Sequence, residues 1–277
     1  MTTTVEGENA APARRHVLQE LGWDVGPAED GRMVGSAIVV PEMHAPGTSH
    51  LRTSILAAWA DVVAGYLAVQ TVGPRVPVTL ELDVHLYQPA PAAGVVRGEG
   101  EVIKAGRSVF VAGVDFSGED GEPFGFAAAS FMAAPDESLR IPALGARSPL
   151  ATGTTLRVPF AERAGCERRE PGVAVLPHSD EVLNASNTIN GGLIALAAEE
   201  AVLSLSPPGT SLASLDLRYL QPARVGPAVA VAEVRHGLGR VEVRDEGNEN
   251  RLCVVATTRA FWDRGHTKTG HTEIGGA

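Results

Sequence analysis

One stretch of this chain is written twice. Asp83-Val84-His85-Leu86-Tyr87-Gln88-Pro89-Ala90 returns as Asp216-Leu217-Arg218-Tyr219-Leu220-Gln221-Pro222-Ala223, 133 positions later. Gly106-Arg107 returns as Gly239-Arg240 at the same spacing. Two separated matches at one offset, with no gap between them, point to two copies of one structural unit. Such self-similarity limits the architecture more than composition does. The 277 residues give room for two units of ordinary domain size.

The copies carry the same order of elements. In the first, residues 35–41 read as a strand. A helix follows over about 52–72, with Ile55, Leu56, Trp59, Val62, Val63 and Tyr66 on a broad apolar face. Strands are then expected at 76–88, 95–104, 109–117 and 124–132, the last two joined by the turn-forming Gly118-Glu119-Asp120-Gly121-Glu122. The second copy repeats this with a strand at 173–176, a helix over 191–205 and strands at 211–220, 228–236, 240–244 and 251–261. Asp245-Glu246-Gly247-Asn248 is the matching turn. A strand, one long apolar helix and an antiparallel meander make an α+β unit, and a curved sheet wrapped around the helix would cover it. The domains are therefore set at 31–135 and 156–263. A linker rich in Pro, Gly and Ser spans 136–155, a weakly ordered N-terminus 1–30 (with a short helix near 16–21), and a disordered tail 264–277.

Composition excludes several function classes. A formal net charge of −10 argues against a nucleic-acid surface, which needs clustered Lys and Arg. Cys166 and Cys253 form no C-x-x-C pair, so a zinc site is not expected, and both read as packed thiols. No P-loop, H-E-x-x-H or strand-linked G-x-G-x-x-G is present, so no cofactor or metal is expected. Without a signal-peptide pattern or an uninterrupted apolar span, the expected location is the cytoplasm, away from the membrane.

The second helix opens with Asn184-Ala185-Ser186-Asn187-Thr188-Ile189-Asn190-Gly191-Gly192 and reaches Glu199 nine residues after Asn190. This resembles the phenylacetyl-CoA and hydroxybenzoyl-CoA thioesterase branch of the hotdog superfamily. That branch has an Asn or Gln, then His-Gly-Gly six positions on, then an acid nine after the His. Asn184, Gly191, Gly192 and Glu199 match, and Asn190 stands in place of the His. The first copy keeps the spacing and departs further. Arg52 replaces the His, Thr53 and Ser54 replace the glycines, Pro46 replaces the amide residue, and Asp61 is the matching acid. The resemblance covers about 34–134 and 156–262 and implies a tandem double hotdog that hydrolyses an acyl-CoA or acyl-carrier thioester. It also implies further homo-association of these double units.

Thioester hydrolysis passes through an oxyanion. Free N–H groups at a helix N-terminus suit that charge, and a glycine there lets the carbonyl approach. Gly191 is the oxyanion candidate. Asp61 and Glu199 are the candidate acids, to activate water or to attack the carbonyl; the alternative is that both are acids on the helix surface. Glu200 is expected to be solvated. The resemblance places the acid of one helix opposite the start of the other. It thus implies one site from Asp61, Asn184, Asn190 and Gly191, and another from Glu199, Arg52 and Thr53. Gly192 and His50 are further substrate-contact candidates, with a loop role as the alternative for His50. A non-catalytic acyl-CoA-binding protein and a hotdog hydratase or dehydratase are the competing functions.

Overall fold

The computed structural model of the protein describes residues 15–141 and 154–261. Its sheet strands show the period-2 burial that the sequence alternates. In β2 (Met33–Val39), Met33, Ala37 and Val39 are buried while Val34 and Ile38 face out. β1 (Asp24–Pro27) pairs with it. The first long helix, α1 (Thr53–Val72), is apolar on almost every side and therefore has to be covered on almost every side. β3 (Pro77–Leu86), β4 (Gly94–Ala105), β5 (Phe110–Ser117) and β6 (Pro123–Ala133) curl around it.

The second half repeats the plan. A short α2 (Phe160–Ala164), β7 (Glu167–Glu170) and β8 (Val173–Leu176) lead to α3 (Gly191–Leu203). β9 (Leu212–Tyr219), β10 (Ala228–Arg235), β11 (Leu238–Asp245) and β12 (Arg251–Ala260) complete it. Inward-facing Ala228, Ala230 and Ala232 of β10 let the Ala-rich α3 lie close on the sheet.

The twelve strands of the described residues form one antiparallel sheet, in the order β1-β2-β4-β5-β6-β3-β9-β12-β11-β10-β8-β7. The halves join at β3 and β9, where the repeated segments meet and Asp83 lies opposite Asp216. That register places the pseudo-twofold axis of the molecule between two copies of the same residue. α1 and α3 pack against each other beneath it.

Part of the run expected to be weakly ordered belongs to the fold. Val17–Glu20 is a 3-10 turn, and Trp23 stacks on Trp59 with ring centroids 4.6 Å apart. The indole lies flat under β2 and β4 because Gly35 and Gly98 have no side chains; a Cβ on Gly35 would sit 2.5 Å from the Trp23 ring. Buried Val17, Leu18, Leu21 and Val25 and the pairing of β1 with β2 dock the rest of this segment. The tail 264–277 and most of the 136–155 linker lie outside the described residues.

Candidate active site

The two long helices begin in different surroundings. At the start of α1 the cap residue Arg52 offers no side-chain acceptor. The carboxylate of Glu199 fills the place. Its Oε1 accepts from the backbone N–H of Thr53 at 3.0 Å and of Ser54 at 3.4 Å. Its Oε2 accepts from Ser54 Oγ at 2.6 Å and from Arg52 Nη1 at 3.1 Å. Glu199 and Arg52 are almost fully buried. A charge taken from water is held only where donors saturate it, and a helix N-terminus with an added guanidinium does that.

Glu200, expected to be solvated, is buried too. It pairs with Arg52 Nη2 at 2.5 Å and with Arg168 Nε at 2.6 Å. Two adjacent glutamates thus share one buried arginine. The second cation comes from β7, a strand not expected from the sequence.

The start of α3 is built differently. Asn190 caps the helix, its Oδ1 accepting from Leu193 N–H at 3.3 Å. The N–H groups of Gly191 and Gly192 have no hydrogen-bond acceptor among the described residues. Gly192 lies against α1, where a Cβ would come within 2.8 Å of Ala58 Cα. Asp61 is one turn further along α1 and accepts a hydrogen bond from Thr79 Oγ1 at 3.1 Å. It makes none to the glycine amides. Aspartate is also one methylene shorter than the glutamate that caps α1.

Burial pushes the Asp61 carboxyl up to about 6, against the pull of the Thr79 hydrogen bond. Tyr219 connects the parts. Its hydroxyl donates to the Gly191 carbonyl at 2.8 Å, and its own pKa is raised well above the ordinary value by burial and by the charges of Asp61 and Asp83.

Other residues singled out from the sequence hold loops. Asn184 Oδ1 accepts from the N–H groups of Ser186 and Thr188, at 2.9 and 3.2 Å, and so closes the turn before α3. His50 Nδ1 is 3.2 Å from the Ala90 carbonyl oxygen and His44 Nε2 is 2.7 Å from that of Ala92. Sequence reasoning missed Tyr219, Thr79 and Ser54. Tyr219 had a signal, because it interrupts the most strongly repeated segment where the first copy has Leu86.

Residues 50–124, which hold all of α1, match the family model described as the thioesterase superfamily. No curated protein matches the chain in sequence. Solved structures with the same architecture do. An acyl-ACP thioesterase from Bacteroides thetaiotaomicron is similar with a TM-score of 0.59 at 15% identity, over 84% of this chain and 99% of that one. A 12:0-ACP thioesterase from Umbellularia californica gives 0.61 at 11%, over 83% and 97%. A tesB protein from Mycobacterium avium subs paratuberculosis gives 0.57 at 15%, over 89% and 98%. The fold is a double hotdog. Within it, one of the two pseudo-equivalent helix starts has its amides bonded to a carboxylate and the other does not.

Proposed function

We propose that the chain hydrolyses an acyl thioester at one site, formed by Asp61 of the first hotdog and the Gly191 and Gly192 amides of the second. The observation that carries this reading is the pair of unoccupied N–H groups at the start of α3, set next to the helix turn that holds Asp61. The thioester oxygen would sit on those amides, where the helix dipole favours the charge that develops on it. Ionised Asp61 would take a proton from an attacking water and pass it to the thiolate as the C–S bond breaks, or would itself add to the carbonyl carbon and expel the thiolate, leaving an acyl–Asp61 anhydride that a water then cleaves to the free acid and Asp61, the water's proton going to the thiolate. The other helix start does not take part, because Glu199 already holds the donors that an oxyanion would need.

The similar solved structures named as acyl-ACP thioesterases support the thioester as the reacting group. CoA and carrier-protein thioesters share it, and a panel with both carriers separates them. Release of free thiol from an acyl-CoA and acyl-carrier panel tests the proposal. Turnover of at least one member is expected. Tight binding of the acyl carriers with no thiol released would instead identify a binding module.

A further inference from the structure

We infer that Tyr219 is a positioning residue of this site, its hydroxyl holding and polarising the Gly191–Gly192 peptide that receives the oxyanion; the inference rests on the thioesterase reading above. The carbonyl of Gly191 and the N–H of Gly192 are two ends of one planar amide. A donor on the oxygen end draws electron density through that amide and makes the N–H end a better donor. Tyr219 places its O–H on the oxygen end at 2.8 Å, while the N–H end has no acceptor among the described residues.

The peptide is also held on two sides. A Cβ on Gly191 would lie 3.2 Å from the Tyr219 ring, and one on Gly192 would lie 2.8 Å from Ala58 Cα. The amide is thus fixed between a β9 side chain and the α1 backbone. Preorganised donors of this kind need no rearrangement when charge develops.

Asymmetry between the halves supports the assignment independently. The repeat places Leu86 where Tyr219 stands in the second copy. In the first copy the helix start is held by Glu199 and has no open amide to polarise. The phenol occurs at the end that is open and is missing from the end that is closed. Burial and the neighbouring Asp61 and Asp83 charges keep the hydroxyl protonated, so it stays a donor at any working pH.

The test is Tyr219→Phe, with Tyr87→Phe on the exposed outer face as the control. Removing an oxyanion donor outright costs about 100- to 1,000-fold. Here the donor stays and is only weakened, so kcat is expected to fall about 10- to 100-fold. KM and Tm should stay near the wild-type values, and Tyr87→Phe should behave as wild type. A second readout does not need turnover: the Gly192 amide proton in a 15N–1H spectrum should move upfield in Tyr219→Phe, as its N–H loses polarisation. Unchanged kcat overturns the inference, as does a raised KM at constant kcat, or a loss of kcat that only follows a fall in Tm. If the wild-type protein releases no thiol, the thioesterase reading fails. The Gly192 shift then decides alone whether Tyr219 polarises the peptide, and an unmoved shift overturns the inference.

Discussion

The Glu199 carboxylate lies 3.0 Å from the backbone nitrogen of Thr53, inside the position that the equivalent glycine, Gly191, leaves open on the other helix. One pseudo-symmetric molecule thus presents the same constellation in two states. At the α1 end the acid is hydrogen-bonded to the helix-start amides. At the α3 end the acid is shorter, its hydrogen bond comes from Thr79, and the Gly191 and Gly192 amides make no hydrogen bond among the described residues.

Glu199 should therefore matter for stability and little for turnover. Glu199→Gln removes a buried charge that Arg52, Thr53 and Ser54 are arranged to hold. Breaking a buried pair in this way costs about 3–5 kcal/mol. Because Glu200 still neutralises Arg52, the lower end of that range is expected, read as a lower urea midpoint. An unchanged midpoint, or a loss of activity at full stability, would contradict the closed-site description.

Gly192 should tolerate no side chain. A Cβ there meets Ala58 backbone at 2.8 Å, and neither helix can yield without moving the site. Gly192→Ala is expected to cost about 1–3 kcal/mol as overpacking and to remove most activity. Gly65→Ala on α1 is the comparison. Its Cβ would meet nothing within 4 Å, so it should gain up to about 1 kcal/mol from helix propensity and keep full activity. Thermal melts and turnover of the two variants check both statements.

The pH dependence follows from Asp61. Its folded pKa of about 6 lies above the ordinary 3.8 because burial disfavours the charge. Between these values the native state binds a proton that the unfolded chain has lost. Stability from this group therefore falls as pH rises from about 4 to about 6 and is level above, a change of roughly 3 kcal/mol. Asp61→Asn should match wild type near pH 4 and exceed it at pH 7. Turnover runs the other way, rising through about pH 6 as the carboxylate ionises. Denaturant melts at the two pH values and a kcat profile measure both signs; a wild-type protein that is more stable at pH 7 than Asp61→Asn would refute the assignment.

Both thiols should be silent in the folded protein. Cys166 and Cys253 are buried and free, and burial pushes the Cys166 thiol up to about 12. An aromatic disulfide reagent at pH 8 is expected to detect no thiol in the native chain and two after unfolding. Rapid native labelling would contradict the packing. The result also clears the way for thiol-release assays, since the protein would add no background.

Much of this fold was legible in the sequence. The offset repeat indicated two units, and the matched residues Asp83 and Asp216 turn out to sit opposite each other on the joining strands. The nine-residue spacing from Arg52 to Asp61 and from Asn190 to Glu199 reflects helix geometry, which fixes where an acid stands relative to its own helix start. The grouping of Glu199 with Arg52 and Thr53 came from the resemblance, which sets the acid of one helix opposite the start of the other, and the side chains do meet.

What escaped lies in contacts between distant segments. Glu200 read as solvated because its buried partners, Arg52 and Arg168, come from the other helix and from a short exposed strand. Asn184 was singled out by the resemblance, and the turn that its side-chain oxygen closes was not legible. Trp23 sat in a polar run, and the two glycines that accept it are in β2 and β4, which local composition could not connect to it.

The most direct measurement of the central claim is thiol release by wild type, Asp61→Asn and Glu199→Gln under saturating substrate at pH 7.5. General-base or nucleophilic carboxylates contribute about 100- to 10,000-fold. Asp61→Asn is expected to lose activity on that scale while its melt stays at or above wild type, because the amide fills the same space without a buried charge. Glu199→Gln is expected to keep kcat within a few-fold, measured well below its lowered melting temperature. Full activity in Asp61→Asn with loss in Glu199→Gln would place the chemistry at the other helix start and contradict the account.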